Sequence, residues 1–300
     1  MIFYLENKKN IWRAGETARS NSMNKKGKIL VVGSVVWDTI FDKEFYGGTG
    51  ANIAYGLGSL GAKPILFSLV GKDFKKDFSA YLKKSGVDSR VHINKKMNTA
   101  SFSCVTNEKK EQIGVWKPNA YKNIHKISLL KTINRNEIKK VSIAIFSPGT
   151  PKSTYKHFRE FKNFVPNALT IFDPGQMVNF YFKKQFIACF NLADILILNE
   201  IEYKQTKTIL RKDPVVFFRK SNKIIIKTQG AKGSVIFQNG SKIKIKAVRP
   251  KHVIDTTGAG DAYRAGLIFG LWKGLSFAKS CAFGARLASK NIECLGCQKY

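Results

Sequence analysis

Short apolar runs rich in β-branched residues recur along most of this 300-residue chain. The first is KILVVGSVV at 28–36, and later ones are PILFSLVG at 64–71, SIAIFSPG at 142–149, LTIFDPGQ at 169–176 and ADILILNE at 193–200. Runs without polar alternation are typical of strands buried on both faces, and segments with helical periodicity separate them. This alternation predicts an α/β fold with a largely parallel central sheet covered by helices on both faces.

The composition excludes several other classes of protein. Apolar residues make up 44% of the chain, which is enough for a large core, and no run approaches the roughly 18 apolar residues of a membrane span. Five scattered cysteines argue against a disulfide framework and predict a reducing, cytoplasmic location. Cys294 and Cys297 form one C-x-x-C pair, but a zinc site needs a second ligand pair and no histidine lies nearby in sequence.

The charge balance is extreme, since 52 lysines and arginines against 20 aspartates and glutamates give a net charge of +32. The basic residues are spread along the whole chain, without a long basic block or a helix-turn-helix or RNA-binding signature. We therefore expect no specific nucleic-acid partner and no membrane partner. The positive field should instead help to gather anionic small molecules by electrostatic steering.

Residues 1–27 are expected to lie outside the fold as an N-terminal extension. Charged residues follow the short apolar start at once, which is unlike a signal peptide, and Glu6 and Glu16 count against an organelle transit peptide. Met23 directly precedes the stretch NKKGKILVVGS, which contains the first predicted strand, and is an alternative start of the chain. We therefore assign residues 28–300 to one domain.

The stretch DTTGAGDAYRAG at 255–266 places small residues and carboxylates at the start of a predicted helix. Gly258, Ala259 and Gly260 let a ligand approach the backbone, and the first N–H groups of a helix have no intrahelical partner. With the helix dipole they would form an anion site, beside which Asp261 could accept a proton from an attacking hydroxyl. In the structural alternative, the polar side chains of this stretch only cap the helix and complement its dipole.

With this motif the chain resembles the ribokinase-like (PfkB) family of carbohydrate kinases. The first signature of that family corresponds to YGGTGANIAYGLGSLGAKPILFSLVGKD at 46–73, and FDPGQ, LNEIE and TQGAKGS follow in family order before DTTGAGD. YGGTGANIAYGL and DAYRAG are most similar to the adenosine and nucleoside kinase branch. The resemblance implies a three-layer α/β sandwich with a small β lid, and transfer of the γ-phosphate of ATP to a primary hydroxyl.

The resemblance also implies roles for individual residues, position by position. The catalytic group would be the base Asp261 with an anion hole formed by Gly258, Ala259 and Gly260. The residues that hold substrate hydroxyls would be Asp38, Gly48 and Asn52. The residues that bind the nucleotide would be Asn199, Glu202, Thr228, Gly230 and Gly233. The cation sites would be Mg²⁺ held through water by Glu202, and a monovalent cation such as K⁺ near Asp255 and Thr257.

Structural interpretations of some of these residues stay open. Asn52 could be a helix N-cap, and Asn199 could be a strand-end amide that is followed by an exposed helix carboxylate, Glu202. Phe102 and Trp116, in a predicted hairpin at 99–117, could pack on a nucleobase or belong to the core.

Two departures from the family pattern bear on the acceptor and on the lid. Val36 stands where ribokinase-type sugar enzymes have an asparagine, which favours a nucleoside such as adenosine over a free sugar. A sugar kinase of the same fold is the alternative. A catalytically silent nucleoside-binding protein is the alternative from a different class, against which the intact Gly-Ala-Gly and Asp261 argue.

The second departure is the short segment 39–46, where the family usually has a longer stretch that contributes strands to the lid. We therefore expect a reduced lid at about 90–118 that consists of the single hairpin 99–117. Such a hairpin is marginal in water, and its edge strands are templates for pairing. The chain should then form a homodimer with paired lids, and the alternative is a monomer with a partly open site.

Overall fold

The β-rich runs of the sequence form strands in the computed structural model, which describes residues 27–40, 43–74, 76–106 and 112–298. The predicted N-terminal extension with Met23 lies outside these residues, apart from Gly27. In chain order the strands are β1 (Lys28–Val32), β2 (Val36–Ile40), β3 (Lys43–Gly47), β4 (Ile65–Gly71), β5 (Asp88–Asn94), β6 (Ala100–Thr106), β7 (Gln112–Lys117), β8 (Val141–Phe146), β9 (Leu169–Phe172), β10 (Ile195–Asn199), β11 (Ile224–Thr228), β12 (Ser234–Gln238) and β13 (Ser241–Ile245).

The segments with helical periodicity form helices between the strands. Two of the longer helices begin at side-chain caps: the side chain of Thr150 accepts from the N–H of Ser153, and that of Ser276 accepts from the N–H of Lys279. In chain order the helices are α1 (Thr49–Ser59), α2 (Lys76–Lys84), α3 (Leu129–Thr132), α4 (Arg135–Ile138), α5 (Pro151–Phe164), α6 (Lys183–Leu192), α7 (Glu200–Leu210), α8 (Pro214–Phe217), α9 (Ala259–Trp272) and α10 (Phe277–Asn291).

A nine-stranded sheet in the order β13-β12-β11-β10-β9-β8-β1-β4-β5 forms the centre of the molecule. Strand β12 pairs in antiparallel fashion with both β11 and β13, and the other pairs in this sheet are parallel. In β1, Leu30 and Val32 join a core with α5, α6 and α7, whereas Ile29 and Val31 join a core with α1, α9 and α10. The predicted three-layer α/β architecture is therefore confirmed. Within the described ranges, no helix is long and apolar enough to cross a membrane.

The lid differs from the prediction, because it is a sheet of four strands in the order β3-β2-β6-β7 and not a single hairpin. The short segment after Val36 folds back on itself, so that Val36 pairs with Gly47 and Ile40 with Lys43. Strand β2 then pairs in parallel with β6. Five residues a strand are enough for this second hairpin. Residues 88–94, part of which was assigned to the lid, form β5 at the edge of the large sheet.

Candidate active site

The predicted nucleotide and base residues gather at the carboxyl edge of the parallel strands. Asn199 ends β10 and pairs in register with Thr228 at the end of β11, and Asp173 directly follows β9. Ligands of such sheets bind beyond this edge. The N-terminus of α9 carries Asp261. The negative charge of Asp261 raises the pKa of Glu202 in α7, so the two carboxyl groups lie close to each other.

The Gly-Ala-Gly stretch forms the start of α9, as the sequence predicts. Gly258 is the N-cap and has a positive φ of 76°, and a Cβ there would lie 2.7 Å from Cβ of Cys297. No side chain caps the helix, so the structural alternative, in which Asp255 or Thr257 is the N-cap, is wrong. The N–H of Ala259 donates to the carbonyl oxygen of Thr256 at 3.3 Å, and the first N–H groups of a helix have no acceptor within the helix, which suits them to bind an anion.

Asp261 lies in the first turn of α9, where Asn52 holds its carboxylate. Nδ2 of Asn52 donates to Oδ2 of Asp261 at 2.8 Å. Burial raises the pKa of the Asp261 carboxyl to about 6, and the positive charge of Arg264 and the hydrogen bond from Asn52 limit that rise. A carboxylate with this pKa is mostly ionised at neutral pH and still accepts a proton, as a general base must.

Asp38 in β2 is the second carboxylate of the acceptor side, and only 6% of its surface is exposed. The backbone of Gly48 donates a hydrogen bond to it, and the thiol of Cys297 lies 3.9 Å from its Oδ2. Burial and the negative charge of Asp261 raise the pKa of Asp38 to about 7. The structure thus brings the predicted acceptor residues Asp38 and Gly48 together near Asp261.

Asn52 connects this acceptor side to the end of the chain. It is the fourth residue of α1, whose N-cap is Gly48, so the interpretation of Asn52 as an N-cap is wrong. Its amide is engaged on both sides, because Oδ1 accepts from Nε2 of Gln298 at 2.7 Å while Nδ2 donates to Asp261. After α10 the chain therefore returns to the site, where Cys297 and Gln298 are buried.

Arg264 is the cation of the site, and it follows Asp261 by three positions on α9. Its Nη2 donates to Oδ1 of Asp173 at 2.9 Å, and its Nε lies 2.5 Å from Oδ2 of the same carboxylate. A Cβ at Gly260 would lie 2.7 Å from Nη1 of Arg264, so the guanidinium is packed against the anion hole. The charge of Arg264 lowers the pKa of Asp261 and of Glu202 against the effect of burial.

Asn199 and Glu202 form a reciprocal cap at the start of α7. Oδ1 of Asn199 accepts from the N–H of Glu202, and the carboxylate of Glu202 accepts from the N–H and the amide of Asn199, at distances between 2.7 and 2.8 Å. Glu202 is 4% exposed, so the alternative of an exposed helix carboxylate is wrong. Burial raises the pKa of Glu202 to about 7.

The remaining predicted nucleotide residues lie in and before the turn between β11 and β12. Gly230 and Gly233 have positive φ angles of 55° and 86°. A Cβ at Gly233 would lie 2.1 Å from the carbonyl oxygen of Ile245, which leaves room only for glycine, while the space above Gly230 is open. Thr228, Gly230 and Gly233 thus line one accessible edge beside Asn199.

The two predicted cation sites stay predictions, and the carboxylates at these sites differ in their hydrogen-bond partners. Both oxygens of Glu202 already accept hydrogen bonds, which suits a Mg²⁺ ion held mainly by phosphates and water. Asp255 accepts from the N–H and hydroxyl of Thr257 at 2.9 and 2.6 Å and from the N–H of Gly296 at 3.0 Å. In the part of the chain that the structure describes, no group of three His, Cys, Asp or Glu side chains could hold a metal ion.

Several aromatic residues of the lid lie on the same face of its sheet as Asp38. Asp38 is paired with Phe45 and with Phe102, and Phe102 is paired with Trp116. Because directly opposite residues point to the same face of a sheet, these aromatic side chains lie on the side of the lid that carries Asp38. Phe102 packs against the core, whereas 37% of the Trp116 surface is exposed.

The sequence interpretation missed four residues of this site: Asp173, Arg264, Cys297 and Gln298. A signal existed for the first two, since Asp173 directly follows a predicted strand and Arg264 stands one helical turn after Asp261. Cys297 was considered only as half of a metal or redox pair, and it is a buried free thiol. No local pattern pointed to Gln298.

Comparisons with known proteins agree with this geometry. Residues 28–300 match the profile of the pfkB family carbohydrate kinases. A nucleoside kinase of Methanocaldococcus jannaschii is 31% identical over 292 residues, which cover 91% of this chain and 93% of that protein. A nucleoside kinase of Methanothermobacter thermautotrophicus is 27% identical over 259 residues, which cover 85% and 81%.

Solved structures extend the likeness to three dimensions. The crystal structure of the M. jannaschii nucleoside kinase, an archaeal member of the ribokinase family, has a TM-score of 0.81 at 28% identity and covers 91% of this chain and 93% of its own. The nucleoside kinase of Burkholderia thailandensis in complex with inosine has a TM-score of 0.80 at 24% identity with the same coverage, which concerns the fold alone. The resemblance found in the sequence is therefore confirmed: the chain belongs to the pfkB family of carbohydrate kinases and is a phosphotransferase that acts on hydroxyl groups.

Proposed function

We propose that this protein uses ATP to phosphorylate the primary hydroxyl of a nucleoside, with adenosine or a similar purine nucleoside as acceptor. The observation that carries the proposal is the environment of Asp261, an ionisable carboxylate at the N-terminus of α9 with Asn52 bound to it. A base beside the N–H groups of a helix N-terminus combines the proton acceptor and the anion site that phosphoryl transfer needs.

In the proposed reaction Asp261 takes the proton of the 5′-hydroxyl while the hydroxyl oxygen attacks the γ-phosphorus of ATP. The bond from the γ-phosphorus to the oxygen that bridges it to the β-phosphate breaks, and ADP leaves. The backbone N–H groups of the 258–260 turn face the charge that develops on the phosphoryl oxygens. Asn199 and Glu202 would hold a Mg²⁺ ion through water, and the ion would neutralise negative charge on the phosphates. Thr228, Gly230 and Gly233 would contact the nucleotide, and Asp255 with Thr257 would lie beside a monovalent cation such as K⁺.

The lid favours a nucleoside over a free sugar as the acceptor. Val36 is 1% exposed and cannot offer a hydrogen bond to a sugar hydroxyl. Phe102 and the partly exposed Trp116 share the face of Asp38 and give a purine ring an aromatic surface. The relative with 31% identity is named a nucleoside kinase, which supports the same acceptor class for this chain.

A panel of acceptors with labelled ATP and Mg²⁺ tests the proposal. We expect transfer to adenosine or inosine with a kcat/KM far above that for ribose, fructose and other free sugars. A preference for a free sugar would make the protein a sugar kinase of the same fold. Nucleoside binding in calorimetry without transfer to any acceptor would make it a silent binding protein.

A further inference from the structure

We propose that Gln298 is a positioning residue of the catalytic base, because its amide fixes the side chain of Asn52 in the orientation that donates to Asp261. The inference rests on the proposed function, in which Asp261 accepts the proton of the acceptor hydroxyl. Nε2 of Gln298 donates to Oδ1 of Asn52 at 2.7 Å, and Nδ2 of Asn52 donates to Oδ2 of Asp261 at 2.8 Å. Gln298, Asn52 and Asp261 are called the amide relay below.

The orientation of the Asn52 amide decides whether it helps or opposes the base. A side-chain amide carries a donor nitrogen and an acceptor oxygen that exchange places when the group rotates by half a turn. Only the nitrogen stabilises an ionised Asp261, whereas the oxygen would turn its negative end toward the carboxylate. Asn52 is 3% exposed, so a protein donor rather than bulk water must satisfy its oxygen. Gln298 is that donor.

The observed orientation of the Gln298 side-chain amide leaves its own oxygen without a hydrogen bond in the described part of the chain. Its Oε1 is buried and has no hydrogen-bond partner among the described residues, and an unpaired buried acceptor is unfavourable. The reverse orientation would place Oε1 against Oδ1 of Asn52, where two acceptors meet. The hydrogen bond to Asn52 therefore explains the orientation of the Gln298 amide. The hydrogen bonds of Gln298 itself do not explain it, because its Oε1 has no partner among the described residues.

The backbone around Gln298 is anchored independently of its amide. The N–H of Gly296 donates to Oδ2 of Asp255 at 3.0 Å, and the hydroxyl of Tyr81 donates to the carbonyl oxygen of Gln298 at 3.1 Å. Cys297 between them is 3% exposed. A change of the Gln298 side chain can thus break the amide relay while these anchors keep the segment in place.

The ionisation of Asp261 depends on several charged groups besides the amide relay. Arg264 favours the ionised form, and the negative charge of Asp173 opposes it by raising the pKa of Asp261. Asp38, Glu202 and the thiol of Cys297 also lie near this carboxylate, and the charge of Asp261 raises the pKa of each of them. The hydrogen bond from Asn52 stabilises only the charged form of Asp261 and lowers its pKa. A flip or a loss of that donor therefore raises the pKa of Asp261.

Two substitutions of Gln298 and one matched control test the relay. Gln298→Leu removes the donor at similar size, and Gln298→Glu offers an acceptor that pulls the Asn52 nitrogen away from Asp261. At pH 7 we expect kcat to fall by about 10-fold for Gln298→Leu and by more for Gln298→Glu. Raising the pH should recover about 2-fold of this loss, because a rise of the Asp261 pKa from about 6 to about 7 lowers the ionised fraction at pH 7 by about that factor. The KM for ATP should stay unchanged. Tyr81→Phe loosens the same segment without touching the relay and should keep kcat near the wild-type value.

A second readout does not depend on activity. Carboxyl ¹³C NMR of the protein without ATP or acceptor gives the pKa of Asp261 directly. We expect this pKa to rise by about 1 in Gln298→Leu and to stay constant in Tyr81→Phe. An unchanged pKa in Gln298→Leu, or equal losses in Gln298→Leu and Tyr81→Phe, overturns the relay. If the wild-type protein phosphorylates no nucleoside or sugar, the proposed function fails, and the NMR comparison still decides the role of Gln298.

Discussion

The two halves of the site are held together over very different distances along the chain. On the nucleotide side, Asn199 and Glu202 stand three positions apart and satisfy each other at the start of one helix. On the acceptor side, 209 positions separate Asn52 from Asp261 and 246 separate Asn52 from Gln298. The nucleotide half is therefore a local structure, and the acceptor half exists only in the complete fold.

The two halves are alike in that both contain buried carboxylates. Burial raises the pKa of Asp38 and of Glu202 to about 7 and that of Asp261 to about 6. The partly exposed Glu200 differs, because it accepts a hydrogen bond from Gln229, which lowers the pKa of that carboxyl. Buried carboxylates without full compensation cost stability. Substitutions of the three buried carboxylates should therefore change chemistry and stability together.

The largest effect is expected for the base itself. Asp261→Asn keeps the shape of the side chain and removes the proton acceptor, so kcat should fall by roughly 10²- to 10⁴-fold. The affinity for ATP, measured by calorimetry, should change little because the backbone N–H groups remain. Near-normal turnover would show that Asp261 only complements the helix dipole.

The second effect concerns the polar groups that would hold a ribose. If Asp38 and Asn52 bind its hydroxyls, 2′-deoxyadenosine leaves a buried polar group unpaired and should have a kcat/KM about 10- to 100-fold below that of adenosine. The same ratio measured in Asp38→Asn serves as control and should be smaller. Equal kcat/KM for both nucleosides in the wild-type protein would remove these residues from the acceptor site.

A third prediction concerns how the free energy of unfolding depends on pH through the ionisation of Asp38. Its pKa is raised from 3.8 to about 7, so the folded state binds the proton more tightly than the unfolded chain. The stabilisation by protonated Asp38 is complete below pH 4 and is lost as the pH rises through 7. Asp38→Asn cannot ionise and should gain up to about 4 kcal/mol in the free energy of unfolding at pH 8 relative to wild type, since each pKa unit corresponds to about 1.4 kcal/mol.

Urea unfolding at pH 4 and pH 8 checks this prediction. At pH 4 the two proteins should differ little, because Asp38 is then protonated in the folded state. A gain of the same size at both pH values would attribute the effect to packing rather than to ionisation. Activity at pH 8 should fall in the same variant, which distinguishes a functional carboxylate from a dispensable one.

The sequence predicted those features that depend on neighbours in the chain. The helix predicted to start in the stretch 255–266 is confirmed as α9, since small residues at its start are a local signal. The apolar run at 193–200 is confirmed as β10, and Asn199 lies at its carboxyl end. Gln298 could not be found in this way, because its partner lies 246 positions away and no pattern links them.

The lid shows why the short length of segment 39–46 led to the wrong prediction of a single hairpin. Residues 39–46 are few, yet the register that joins Val36 to Gly47 uses them almost entirely as paired strand. The parallel pairing of β2 with β6 then joins two hairpins into one sheet. Parallel partners that are distant in sequence leave no local trace, so the sequence could not reveal that the short hairpin has a neighbour.

The smallest effect is expected at the outer edges of this lid. A sheet of four strands is stable within one chain, so a homodimer is not needed to complete it, and only β3 and β7 present outer edges for pairing. We still predict a dimer through the lids, because an edge strand is a template for pairing across a two-fold axis. Val115 in β7 is 37% exposed, and Val115→Lys places a charge at this edge.

Light scattering and an acceptor-free ATPase assay test this edge together. The wild-type protein should be a dimer with low ATP hydrolysis in the absence of nucleoside, because a closed site excludes water. Val115→Lys should dissociate the dimer and change kcat for adenosine only slightly, since the four strands stay paired within each chain. A wild-type monomer with negligible ATPase and tight nucleoside binding would show that each lid closes its own site. A large rise in ATPase on dissociation would show instead that the partner subunit's lid helps to close it.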